Sequence, residues 1–82
     1  MSKAINKTIG VKKQVIEFLK RNGFKKIEPN SYANDICNVV INDWNYAVSN
    51  NRGDAIYSND ENIYWLIGVL TYYGYINKNY KN

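Results

Sequence analysis

The sequence predicts an α+β fold, a two-layer sandwich in the order α-β-β-β-α, with two helices packed on one face of a three-stranded antiparallel sheet. Three observations predict it. Apolar residues recur at helical spacing near both ends of the chain, a central segment alternates apolar and polar residues, and 82 residues suffice for one domain. We therefore expect a single small domain over residues 1–82, with frayed ends at about 1–8 and 77–82.

The first helix is predicted from about Ile9 to Asn22. Its apolar stripe has the spacing of an amphipathic helix and consists of Val11, Val15, Phe18 and Leu19. Gly23 supplies a left-handed residue after the last turn, and Phe24 follows at the position of the hydrophobic contact in a helix-ending motif. We interpret the next residues, around Pro29, as a connection.

Three strands are predicted from alternation of β-branched, aromatic and polar residues. The apolar positions are Cys37, Val39 and Ile41 in the first strand, Tyr46 and Val48 in the second, and the short third strand covers Ala55 to Ser58. Asn42-Asp43 suits a first tight hairpin turn, and Asn50 to Gly53 suits a second. These segments predict an antiparallel meander.

A second helix is predicted after a capping box in which Ser58 is the N-cap and Glu61 reaches back to its backbone. The apolar face of this helix comprises Ile63, Leu66, Ile67 and Leu70. Gly74, followed by Tyr75, repeats the ending of the first helix.

The sequence offers no set of reactive side chains, and we therefore predict that the protein is not an enzyme and has no catalytic residue, metal site or cofactor. The chain has no histidine, which removes the commonest general base and metal ligand. Its one cysteine, Cys37, is interpreted as a buried hydrophobic residue. The seven carboxylates are scattered and the five glycines are isolated, so neither a metal site nor a phosphate-binding loop is indicated.

The sequence also favours a cytoplasmic protein of a bacterial host cell. The longest apolar run, Ile63 to Leu70, is too short to span a membrane, and a lone cysteine forms no intramolecular disulfide. Asn, Lys, Ile and Tyr, which have A/T-rich codons, make up half of the chain. This usage predicts that the gene comes from an A/T-rich bacterium or its phage, and we expect it to be encoded by a phage or another mobile element.

Basic residues form the first candidate binding surface. Eight of the eleven basic residues lie within residues 1–26, beside a single acid, Glu17. Such a surface can attract a nucleic-acid backbone or an acidic partner, or it can simply be the solvated face of a helix. The candidate residues for this role are Lys12, Lys13, Lys20, Arg21, Lys25, Lys26 and Arg52.

Aromatic residues form the second candidate surface, because a core of this size cannot enclose ten tyrosines and tryptophans while satisfying their polar groups. A strip beside the core face of the second helix consists of Trp65, Val69 and Tyr72. This strip packs against the first helix, against a partner protein or against a second copy in a homodimer. Trp44 and Tyr46 either close the core or act as exposed anchors. The partner-binding candidates are Trp65, Tyr72, Tyr64, Trp44 and Tyr46.

These features predict a small non-enzymatic interaction protein that binds and inhibits or modulates a host protein or protein–nucleic-acid complex, for instance a CRISPR-type defence effector. The alternative is direct binding of RNA or DNA by the basic N-terminal helix. A partner in the membrane is not expected.

Overall fold

The computed structural model describes residues 2–77, and it describes side chains from residue 12 onwards. In these residues a helix comes first, a five-stranded antiparallel sheet follows, and a second helix comes after the sheet. The elements are α1 (Ser2–Arg21), β1 (Lys25–Glu28), β2 (Ser31–Ala33), β3 (Cys37–Ile41), β4 (Tyr46–Asn50), β5 (Ala55–Tyr57) and α2 (Ile63–Tyr72). Each strand pairs with its neighbour in the sequence, so the strand order is β1-β2-β3-β4-β5.

The α+β class is confirmed, but the prediction of three strands is wrong because the sheet has five. The predicted strands correspond to β3, β4 and β5, whereas β1 and β2 lie in the segment interpreted as a connection. All four residues of β1 are exposed, so the strand has no apolar alternation to reveal it. Pro29 does not interrupt the sheet, since it stands with Asn30 in the turn between β1 and β2, where proline fits the first corner position.

The core lies on one face of the sheet. Tyr32, Val39 and Val48 are neighbours across β2, β3 and β4, and all three are buried. Ile41 and Tyr46 form the adjacent buried pair, and Cys37 extends the same face. Side chains on the opposite face are half-buried or exposed, and most are small or polar; Val40 and Tyr57 are the larger ones.

Both helices contribute to this single core. Among the described side chains of α1, Val15, Phe18 and Leu19 of the predicted stripe are buried, while Val11 lies outside the described side chains; in α2 the buried residues are Leu66 and Leu70. Because they form one cluster with the buried residues of the sheet, the second layer of the sandwich consists of the two helices.

The predicted helix endings are confirmed. Gly23 has a φ of 90°, and the N–H of Phe24 donates to the carbonyl oxygen of Leu19 at 3.0 Å. Gly74 has a φ of 73°, and the N–H of Tyr75 donates to the carbonyl oxygen of Leu70 at 2.8 Å. Both endings therefore have the left-handed glycine and the long-range backbone bond of a Schellman motif.

The predicted helix starts differ from the structure. The backbone is helical from Ser2, earlier than the predicted start near Ile9, while most of the predicted frayed tail lies outside the described residues. The capping box is wrong, because the N-cap of α2 is Asn62, whose side-chain oxygen accepts from the N–H of Tyr64 at 2.9 Å. An asparagine is as good an N-cap as a serine, so local propensity did not separate the two positions.

Ser58 instead joins the start of β4 to the segment before α2. Its Oγ accepts from the N–H of Tyr46 at 2.7 Å and donates to the carbonyl oxygen of Asp60 at 2.5 Å. The side chain is buried, so these bonds satisfy polar groups that water cannot reach.

We expect the substitution Ser58→Ala to lower the free energy of unfolding by about 1 to 3 kcal/mol, because it leaves the buried N–H of Tyr46 without its side-chain acceptor. Urea unfolding followed by circular dichroism measures the change. Ser49→Ala is the matched control, since the half-buried Ser49 side chain makes no hydrogen bond to a described residue. It should change the same free energy by less than about 0.5 kcal/mol. Equal effects of the two substitutions would contradict this role of Ser58.

Candidate interaction surfaces

The outer face of α2 carries two exposed aromatic side chains on either side of a glycine. Tyr64 is 78% exposed and Tyr72 is 82% exposed, and Gly68 lies midway between them in the sequence. Residues four apart share a helix face, so Tyr64, Gly68 and Tyr72 form one row. No atom lies within 4 Å of where a Cβ on Gly68 would be, so the space between the two rings is open. We call this row the α2 outer face.

The α2 outer face has no charge. The sequence from Asn62 to Asn77 contains neither an acidic nor a basic residue. A surface helix normally has charged or polar side chains opposite its apolar stripe, because they keep that side hydrated. Uncharged aromatic residues at such positions are typical of protein interfaces, whose centres are depleted of charge.

Trp65 lies at the margin of this face rather than at its centre. It is half-buried, and its ring stacks on that of Tyr46 at a centroid distance of 6.5 Å. Trp65 therefore packs towards the sheet, whereas Ile63, Tyr64 and Ile67 line a cleft of about 240 Å³ beside α1. The predicted contact of the strip with the first helix is not the one observed for Trp65, which contacts Tyr46 of β4. Val69 also packs against the core while Tyr72 is exposed, so the strip is divided between core and surface.

Tyr46 belongs to the core. It is 1% exposed, and its hydroxyl donates to the carbonyl oxygen of Glu61 at 2.5 Å. Burial raises its pKa to about 12, and the nearby acidic side chains of Glu61 and Asp60 act in the same direction. The interpretation of Tyr46 as a core residue is therefore the correct one, and its assignment to a partner-binding surface is wrong because a partner cannot reach a buried ring.

Trp44 is exposed at the tip of the hairpin between β3 and β4, with 78% of its surface accessible. The loop beneath it is held by Asn42, whose backbone N–H and side-chain amide donate to Asn45 at 2.9 Å each. An ion pair of 3.1 Å between Asp43 and Lys12 ties the loop to α1. The hairpin is a four-residue loop rather than the predicted tight Asn42-Asp43 turn, and it presents Trp44 as an anchor apart from the α2 outer face.

The basic candidates occupy three parts of the molecule. Lys12 is paired with the exposed carboxylate of Asp43 at 3.1 Å, which offsets part of its charge. Arg52 lies in the turn before β5, at the opposite edge of the sheet from β1. The remaining basic residues are exposed and form no ion pair with any described residue: Lys13, Lys20, Arg21, Lys25 and Lys26.

Sequence reasoning missed two exposed tyrosines, Tyr73 and Tyr57. Tyr73 contacts Tyr72 edge to face at 4.9 Å and stacks with Tyr75 at 5.7 Å, so the end of α2 is a row of three rings. Tyr57 is 66% exposed and points to the sheet face that no helix covers. The Tyr-Tyr-Gly-Tyr run in the sequence was a signal that could have indicated the exposure of Tyr73. The exposure of Tyr57 could not be predicted in this way, because it depends on which face of β5 is buried.

Reactive groups are not brought together in the part of the chain that the structure describes. No three residues among its Cys, Asp and Glu side chains form a group that could hold a metal ion. Cys37 is 1% exposed, and burial raises its pKa to about 12. Its thiol is therefore protonated at neutral pH, as the interpretation of Cys37 as a hydrophobic core residue implies.

No protein-family model matches this sequence, and no curated protein or solved structure is detectably similar to it. Among residues 2–77, no helix has the length and apolar character that crossing a membrane requires.

We expect stability to be lost in alkali between about pH 9 and pH 12. The pKa of Cys37 rises from 9.0 to about 12 on folding and that of Tyr46 from 10.0 to about 12, so the native state holds these protons more tightly than the unfolded state. The stabilisation is complete below the unfolded values and declines as the pH rises towards the folded ones. Urea unfolding at neutral and alkaline pH measures this decline.

Cys37→Val is the matched variant for this test, because it keeps an apolar side chain and removes the ionising thiol. Its free energy of unfolding should fall less steeply with pH, leaving the contribution of Tyr46. An unchanged dependence on pH would show that Cys37 does not ionise on unfolding.

Proposed function

We propose that this protein is a small non-enzymatic interaction module that binds a partner protein through the α2 outer face. The observation that carries the proposal is the exposure of Tyr64 and Tyr72 around Gly68 on a helix without charge. Exposed aromatic rings on a rigid element supply contact area at little cost in conformational entropy, and such residues dominate the energetics of interfaces.

The packing of α2 makes this face rigid. Leu66 and Leu70 are fully buried against the sheet, and both ends of the helix are capped, by Asn62 and by the Gly74 motif. A partner would therefore meet a preformed surface, which reduces the ordering cost of association. The open space at Gly68 would admit a protruding apolar side chain of the partner between the two tyrosines.

The biological setting that we propose is the inhibition or modulation of a bacterial host protein or nucleoprotein complex by a protein encoded on a phage or mobile element. Its support is the A/T-rich residue usage, the small size and the scarcity of reactive side chains. A CRISPR-type defence effector is one target of this kind.

The test is affinity capture with the tagged chain from a lysate of its native bacterial host, quantified by mass spectrometry. We expect Tyr64→Ala and Tyr72→Ala each to weaken capture of the same partner about 30-fold, the effect of losing about 2 kcal/mol at an interface anchor. Tyr57→Ala is the matched control, because Tyr57 is also an exposed tyrosine but lies on the uncovered sheet face. Partner capture that survives both α2 substitutions would refute the proposal.

Direct nucleic-acid binding is the second candidate function, and the observation that favours it is the set of basic side chains without ion pairs. Lys13 and Lys20 project from α1, and Lys25 and Lys26 lie at adjacent positions of β1. Successive strand residues face opposite sides, so Lys26 lies on the helix side of the sheet and Lys25 on the other. A phosphate backbone following α1 would meet Lys13, Lys20 and Lys26.

A salt titration with fluorescently labelled RNA and DNA separates the two candidates. Direct binding predicts an association constant that falls steeply with salt, with a slope that drops by about one for each lysine contact removed by Lys13→Glu or Lys20→Glu. Binding through the α2 outer face predicts no association with bare nucleic acid at about 0.15 M salt and no effect of the lysine substitutions on partner capture. Glu17→Gln is a charge control on the same exposed side of α1.

A further inference from the structure

The two edge strands of the sheet differ in how strongly they discourage pairing with another strand. In β1, Lys25 and Lys26 add charge, the register shifts between Lys26 and Glu28, and Pro29 follows the strand. Charged residues, bulges and prolines are the features by which natural sheets protect an edge. In contrast, β5 consists of Ala55, Ile56 and Tyr57, is uncharged and pairs regularly with β4. The sheet thus has one protected edge and one that can accept a strand.

The free hydrogen-bonding groups of β5 can be located from its register. The N–H of Asn50 donates to the carbonyl oxygen of Asp54 at 3.0 Å, and the N–H of Ser58 donates to that of Tyr46 at 2.9 Å. Bonded pairs alternate in an antiparallel ladder, so Ile56, opposite Val48, directs its backbone groups towards β4. The N–H and carbonyl groups of Ala55 and Tyr57 point away from β4, and no described residue bonds to them on that side.

We propose that β5 pairs with β5 of a second copy of this chain, antiparallel and about a two-fold axis at Ile56, to form one continuous ten-stranded sheet. The register is self-complementary, because the axis places Tyr57 of each copy opposite Ala55 of the other. Both side chains point to the uncovered sheet face, and the methyl group of Ala55 leaves room for the exposed ring of Tyr57.

The other face of the edge supplies apolar contact. Ile56 points to the helix side of the sheet, where it lines a cleft of about 230 Å³ with Val48, Tyr73 and Tyr75. In the proposed pair, Ile56 of the second copy lies on the same side, directly beside this cleft. The two clefts meet at the axis, and the association removes their apolar lining from water.

Charge distinguishes a second copy from other occupants of this edge. Arg52 precedes β5 and Asp60 follows it, so the antiparallel arrangement brings Arg52 of each copy to the end of the strand where Asp60 of the other lies. The side chain of Arg52 is 85% exposed, and its own contact with Asp54 is 4.0 Å long. The two β1 strands lie at opposite ends of the ten-stranded sheet, nine strand spacings or about 43 Å apart, so the repulsion between their basic residues is screened by salt.

The protected β1 edge limits the assembly to two chains. Once the two β5 strands are paired, the edges that remain are the two β1 strands. Pairing of β1 with β5 would instead be a head-to-tail contact, which builds rings or open filaments of more than two chains. This dimer leaves the α2 outer face uncovered, so it is independent of the partner-binding proposal.

The test is sedimentation equilibrium of the purified full chain over a wide range of concentration. A three-residue edge predicts weak association, with a dissociation constant on the order of 10⁻⁴ M and a dimer of twice the 9.5 kDa monomer mass. Tyr57→Pro should weaken association at least about tenfold, because it removes an outward N–H that β4 does not use. Circular dichroism checks that this variant remains folded.

Arg52→Glu provides a second variant that leaves the strand itself unchanged. We expect it to weaken association and to reverse the effect of salt, because the opposed charges at the strand ends become alike and salt then screens a repulsion instead of an attraction. A wild-type chain that stays monomeric at every concentration would overturn the proposal. So would a dimer that persists in both variants and dissociates in Tyr72→Ala, since that result would assign the contact to α2.

Discussion

Cross-strand contacts between Tyr32, Val39 and Val48 give the sheet one continuous apolar row, and both helices fold onto the side that carries this row. Neither helix can bury its own apolar stripe alone, and the sheet cannot exclude water from one face without them. The positions of the remaining surfaces follow from this packing. The outer faces of the helices, the opposite sheet face and the two sheet edges are the parts of the molecule left for contact with other molecules.

The helices and three of the strands were predictable because their signals are local. The stripe of α1 and the glycines at positions 23 and 74 determine where these helices pack and end, and alternation at Cys37, Val39 and Ile41 identifies β3. Strand β1 could not be predicted from a local pattern, since its four residues are all exposed. Its extended conformation is fixed by backbone pairing with β2. The start of α2 was misplaced because Ser58 is recruited by the backbone of Tyr46, twelve residues earlier.

The candidate surfaces were predictable in composition but not in arrangement. The sequence indicates that some aromatic residues must be exposed, yet only tertiary packing determines that Tyr46 is buried under Trp65 while Trp44, two residues earlier, is exposed. The same holds for charge, because Lys12 forms an ion pair with Asp43 across the fold and Lys13 forms none with a described residue. The strip predicted on the second helix grouped Tyr72 with Trp65 and Val69, whereas in the structure Trp65 stacks on Tyr46 and Tyr72 is exposed on the same face as Tyr64.

The meander topology has a consequence for how the chain acquires its structure. Every strand pairs with the next one through a turn of two to four residues, so the sheet can zip together through short loops with little entropy of closure. Helix α2, however, follows all five strands in the chain, and it supplies Leu66 and Leu70 to the core. A nascent chain that ends before α2 therefore leaves part of the apolar sheet face uncovered, and cooperative folding waits for α2 to emerge from the ribosome.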